Sequence, residues 1–262
     1  MSPLDAQLTI LGPPLLAGIL VLATHVPLGR EVLKKGIIFI DLAIAQVAGL
    51  GVIVAHRLGL EPHGWEVQPW AVGAALLAAL LLYGLERWWP EAQEALIGAL
   101  FVVAACAGIL LLANSPQAGE HLKELLVGQI LWVSPRGLIP VAVLSAGVVA
   151  AWFSLRRRLG PLGFYLLFAV TVTASVQVVG VYLVFASLIL PALAAQGLGP
   201  RSFLVLGYGV GVAGYAAGLL LSALTDLPAG PLVVCALAGI AGIAIAGRRW
   251  RRGASAAWAV PL

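Results

Sequence analysis

Apolar runs of roughly 17 to 22 residues recur from one end of this chain to the other, and a run of that length is what a helix needs to cross a hydrocarbon core about 30 Å thick. The runs are continuous and rich in Leu, Ala, Val and Gly. Strands of a membrane barrel would instead alternate polar and apolar residues over about ten positions. With 61% hydrophobic and only 10% charged residues, a water-soluble fold is excluded. The expected fold is an all-α polytopic membrane helical bundle with about nine transmembrane segments, near 8–28, 37–55, 70–85, 95–113, 138–155, 162–179, 180–195, 202–223 and 230–247. Residues 1–250 form one transmembrane domain in this reading, and residues 251–262 a basic cytoplasmic tail.

Lys and Arg set the orientation, because positively charged loops are held on the cytoplasmic side. Placing the N-terminus outside puts 12 of the 15 basic residues inside, Arg30, Lys34, Lys35 and Arg201 among them, and leaves Arg57, Lys123 and Arg136 outside. The N-out, C-in arrangement also needs an odd number of crossings, which agrees with nine. The net charge of +4 then reflects topology and contact with anionic lipid heads rather than nucleic-acid binding. Asp5 stands before the first apolar run without any Lys or Arg, so the basic region of a cleavable signal is missing and the first span is expected to remain. Cys106 and Cys235 are isolated in separate spans and read as small core residues. His56, His63 and His121 fall on outward stretches, where an external solute or partner would arrive.

The stretch "KKGIIFIDLAIAQVAGLGVIVA" carries Asp41 and Gln46 inside an otherwise lipid-compatible segment. A carboxylate there costs about 2.5 kcal/mol or more, so such residues usually face a bundle interior or an aqueous path. Asp41 is therefore a candidate for a transport path and a metal ligand. The competing reading has it near the inner surface beside Lys34 and Lys35, reaching water or a basic partner. Five residues along a helix leave Asp41 and Gln46 about 140° apart, so they cannot pinch one ion from the same face. Gln177, in "TVTASVQVVG", is expected to seek partners in the interior, where the neighbouring Thr171, Thr173 and Ser175 read as packing glue. His25 is a further candidate for the path, equally readable as a hydrogen-bonded structural histidine. The glycines of "VAGLG", "GYGVGVAGYAAG" and "LAGIAGIAIAG" predict close helix packing.

The sequence lacks G-x-x-x-x-G-K-[ST], H-E-x-x-H and G-x-S-x-G motifs, so an enzyme has little support and no cofactor is expected on this chain. His121 and Glu124 have helical spacing, but a solvated face is favoured over a metal site.

The ordered set "FIDLAIAQVAGLG", "LLVGQILWVSPRGLI", "VGVYLVFASLILPALAA" and "LTDLPAGPLVVCALAG" resembles the membrane permease subunits of zinc and manganese ABC importers, over about residues 14 to 245. The resemblance implies a multi-pass protein of a bacterial or archaeal inner membrane, working as a homodimer. Each copy would dock a cytoplasmic ATP-binding subunit, where ATP is used, and receive a divalent metal substrate from an extracytoplasmic solute-binding protein. Zinc stands first, then manganese or iron. It also implies that the segment from Pro191 to Phe203 couples to the ATPase, with Pro191, Ala192, Ala195, Gly197, Gly199, Pro200 and Arg201 at the matching positions.

Members of that family commonly carry an Asp and a His four residues apart in the second span. Aligning "GLGVIVA" puts Gln46 at the His position, with Asp41 one residue earlier than the family's Asp, so the pair is not reproduced. Either the ion passes with little binding, or the other protomer's Asp41 completes a site, or the substrate differs. The inner loop "RRRLGPLG" is shorter than the family's segment between the fifth and sixth spans. Ile130 to Val133 is a candidate external gate. A proton-coupled carrier using Asp41 as its relay, independent of ATP, is the competing class. A structural scaffold would need no buried acid.

Overall fold

A backbone in hydrocarbon has no water to bond to, so a spanning chain must close its hydrogen bonds within helices or a closed barrel. The computed structural model describes residues 3–60, 64–112 and 126–257, and among them the regular elements are all helical. They are α1 (Pro3–Lys35), α2 (Ile40–Arg57), α3 (Gln68–Trp88), α4 (Gln93–Leu112), α5 (Leu138–Val179), α6 (Val181–Ala194), α7 (Pro200–Thr225) and α8 (Ala229–Ala257), with short 3₁₀ turns between some of them. Seven helical stretches are long and apolar enough to cross a membrane, and two shorter apolar ones, Leu138–Ser154 and Val181–Ala194, accompany them. These correspond to the nine expected segments.

The fifth and sixth of those segments are the two arms of α5. No extended loop separates them. The break is Gly160, at φ 59° and ψ −157°, followed by Pro161. That backbone conformation is open essentially to glycine alone, and the proline cannot donate into a preceding turn.

Helix α1 is central and packs on α5, α6 and α7, while α2 packs on α3 and α4. Proline helps to fix the first of these groupings. Pro27 lies inside α1 and has no N–H, so the carbonyl of Ala23 loses its helical donor. The hydroxyl of Tyr208 on α7 donates to that carbonyl at 3.1 Å. Glycines permit the rest of the contact: Leu22 and Val26 of α1 sit against Gly211 and Gly207 of α7, and Leu237 and Val233 of α8 against Gly214 and Gly218. Gly51 of α2 lies against Trp70 in the same way. In the "LAGIAGIAIAG" stretch, by contrast, Gly239, Gly242 and Gly247 face open space, so the packing expected there is not made within one chain.

At the other end of the bundle the backbone of Val127 and Gly128 crosses the α5–α6 junction at Val179 and Gly180. Gly128 and Gly180 have φ of 71° and 81°, and a Cβ on either would overlap the other strand's backbone. Both demands select glycine. Replacing Gly128 or Gly180 by Ala is expected to cost about 1–3 kcal/mol, seen as a lower thermal unfolding midpoint in detergent. Gly239→Ala, where a Cβ meets nothing within 4 Å, should leave the midpoint unchanged.

Candidate functional site

The chain between α1 and α2 folds inward instead of skimming the surface. Ile37 and Ile40 are buried, and the ring of Phe39 stacks on Phe185 of α6, with centroids 6.2 Å apart and planes within 4°. The amide of Phe39 donates to Glu94 Oε1 at 3.3 Å. Asp41 follows in the first turn of α2, where the exposed amides of a helix start favour a negative charge. It is 1% exposed; no side chain pairs with its carboxylate, and the groups that act on it are the backbone amides of Leu42 and of Asp41 itself at the start of the helix.

The neighbouring lysines are engaged elsewhere. Lys35 pairs with Glu86 of α3, and its ammonium also lies 5.8 and 5.7 Å from the ring centroids of Phe164 and Tyr165. Lys34 lies 3.7 Å from Glu31. The reading of Asp41 as an interfacial acid that reaches water or a lysine is therefore not realised. Within the single chain the Asp41 side chain is enclosed by its own bundle.

A polar layer surrounds this end of the bundle. Gln93 of α4 donates to the Tyr165 hydroxyl at 2.7 Å, and Tyr83 meets Tyr165 edge-on at 6.0 Å. One oxygen each of Glu86 and Glu94 is buried without a partner. A cavity of about 240 Å³ at the α5 break is lined by Lys35, Glu31, Trp152 and Phe164. Sequence reading missed Glu86, Gln93 and Glu94, since polar and charged residues at span ends look interfacial. Only their pairing across helices distinguishes them.

Most buried polar side chains are locally satisfied. Thr171 and Thr173 donate to the carbonyls of Leu167 and Ala169, Ser222 to that of Leu227, and Ser187 bonds Tyr215 at 2.8 Å. The buried side-chain atoms left unpaired among the described residues are His25 Nε2, both Asp41 oxygens, Glu86 Oε2 and Glu94 Oε2. The carboxylate oxygens can only accept when ionised.

The other candidates are dispersed. His25 is wholly buried in α1. Gln46 is half-buried, and Gln177 is exposed on the outside of the bundle, contrary to the expectation of interior partners. In the Pro191 to Phe203 segment, Pro191, Ala192 and Ala195 are buried, whereas Gly197, Gly199, Pro200 and Arg201 are exposed. This segment is no separate helix: α6 ends at Ala194, Gly197 turns at φ 79°, and α7 begins at Pro200. Arg248 of α8 donates to the carbonyls of Ala194 and Gln196 and ties the turn down. Ile130 is buried and Trp132 is 84% exposed. His56 Nδ1 lies 3.4 Å from the Leu60 carbonyl, while His63, His121 and Glu124 lie outside the described residues. Among the described residues no three His, Cys, Asp or Glu side chains come together in a metal cage.

Asp41→Asn keeps the shape and removes the buried charge, so it is expected to stabilise the protein by about 1 kcal/mol or more, read as a higher unfolding midpoint.

The ABC 3 transport family matches residues 7–164 and 158–248. A Chlamydia trachomatis protein named "Probable metal transport system membrane protein" is 25% identical over 90% of this chain and 90% of its own length. A Haemophilus influenzae protein named "Probable iron transport system membrane protein" is 27% identical over 81% of this chain and 84% of its own. The solved structure of PsaBC from Streptococcus pneumoniae in complex with Fab contains a chain with the same fold, at a TM-score of 0.70 and 21% identity, covering 90% of both chains.

Proposed function

We propose that this chain, which belongs to the ABC 3 transport family, is the membrane subunit of an ATP-driven importer that carries a divalent transition metal. Zinc is placed first, then manganese or iron. The observation that carries the reading is Asp41, a carboxylate enclosed in a membrane bundle with no side-chain partner. An uncompensated buried charge is costly, and a passing cation is the partner that offsets it. The names of the similar Chlamydia trachomatis and Haemophilus influenzae proteins support a metal as that cation.

ATP hydrolysis belongs to a separate cytoplasmic subunit in this reading, and a solute-binding protein delivers the ion outside. The exposed turn at Gly197 to Arg201 suits docking of the ATPase. Because Arg248 bonds the carbonyls just before it, a push on the turn is transmitted to α8 as well as to α6 and α7. The uncovered small-residue face at Gly239, Gly242 and Gly247 favours a second copy of the chain. Gln177, exposed on one chain, would line the path between the two copies, with Gln46 offering an amide oxygen from the same helix as Asp41. The basic tail from residue 251 stays on the cytoplasmic side.

The test is metal uptake into vesicles holding the permease and its ATPase. Asp41→Asn should reduce nucleotide-driven uptake at least 10-fold while the ATPase still co-purifies. Deleting Gly197 to Gly199 should do the reverse, releasing the ATPase from a folded membrane subunit. Metal accumulation by the wild type without nucleotide or ATPase would replace the importer by a proton-coupled carrier.

A further inference from the structure

We infer that Nε2 of His25 is a metal-binding position on the translocation path, an imidazole donor contributed by α1. The inference deepens the importer reading and rests on it for the identity of the cargo.

The ring's orientation is set by the backbone. His25 Nδ1 lies 2.8 Å from the carbonyl oxygen of Val21, an atom that can only accept, so Nδ1 carries the hydrogen. Thr24 Oγ1, which donates to the same carbonyl at 3.0 Å, flanks Nδ1 at 3.1 Å. In the neutral ring Nε2 is then a bare lone pair. It is fully buried and has no partner. A histidine kept only for structure would bury a satisfied ring. A histidine that binds a metal shows the arrangement seen here, one nitrogen donating to a backbone carbonyl and the other presented to the ion.

Two contacts bring this stretch of α1 to the same part of the bundle as Asp41. Gly29, one turn after His25, packs on Leu188 and Ala192 of α6. Phe39, two residues before Asp41, stacks on Phe185 of the same helix. The backbone one turn after His25 and the ring two residues before Asp41 thus rest on one stretch of α6, between Phe185 and Ala192. The chemistry of Asp41 and His25 is complementary: a carboxylate attracts any divalent cation, whereas an imidazole selects zinc, iron, nickel or copper over magnesium and calcium. No imidazole of α2 serves this purpose, since Gln46 stands within that helix and His56 at its far end contacts Leu60.

Co²⁺ is the probe, titrated by visible absorption into the purified permease–ATPase complex and competed with Zn²⁺. In His25→Asn the amide can still donate to Val21, but nothing reaches the Nε2 position. Co²⁺ affinity should fall by at least the roughly 10-fold that loss of a mere outer-shell partner costs, with Mg²⁺ competition relatively stronger. His25→Gln, which restores a weaker donor near Nε2 without the Val21 bond, should recover part of the affinity. If His25→Asn binds Co²⁺ as the wild type does, or if His25→Gln binds more weakly than His25→Asn, the residue is structural and the inference is overturned. Should the Asn variant fail to fold, wild-type strength in the Gln variant overturns it equally. Loss of nucleotide-driven uptake in the wild type would instead remove the importer reading, and leave the Co²⁺ result to decide His25 by itself.

Discussion

The requirement that every polar group inside a bilayer find its partner within the protein governs this structure. Backbone groups meet it by forming helices, and most side chains meet it by bonding the turn before them, as Thr171 and Thr173 do. Even the carbonyl freed by Pro27 is answered, by Tyr208 from another helix. Against that thrift the few unanswered atoms stand out. They are lone pairs on His25, Asp41, Glu86 and Glu94, gathered on the first four helices. In the proposed reading these electron-rich atoms are the ones that meet the passing cation.

The same logic links the site to the moving parts. Asp41 is held by a loop that is itself fixed to two other helices, through Phe39 on Phe185 and through the Phe39 amide on Glu94. Helix α6 therefore touches the Asp41 segment at one end and leads into the exposed turn before α7 at the other. A displacement of that turn has a short, packed route to the buried acid. The glycine crossing of Gly128 and Gly180 lies about one turn before Phe185, at the same end of α6, and closes it with backbone against backbone, which leaves little room for gradual deformation and favours movement of the helix as a unit.

Much of this was legible in the residues. Nine apolar runs at helical length gave nine segments, because the bilayer thickness sets the length of each one. Asp41 could be singled out because a charge in lipid is rare enough to mean something. Gln177 was expected to seek interior partners, but polarity within a span does not say which way a side chain turns, and this one faces outward from the single chain. The junction at Gly160 was read as a loop, since Arg, Gly and Pro punctuate helices in water as well as at a membrane surface. Glu86 and Glu94 were passed over because their roles depend on Lys35 and Phe39, more than fifty residues away in sequence. The glycines of α7 were recognisable as packing residues, while those of α8 show that the same spacing can serve a face the single chain leaves uncovered.

The central proposal is that the buried carboxylate of Asp41, which has no side-chain partner, binds a divalent metal. Its most direct test is a crystal or cryo-EM structure of the permease–ATPase complex prepared with Zn²⁺, with anomalous scattering collected at the zinc edge where crystals permit. The account predicts a metal peak about 2.0–2.2 Å from an Asp41 carboxylate oxygen. Both oxygens hydrogen-bonded to protein or water donors, with no metal density beside them at saturating Zn²⁺, would contradict it.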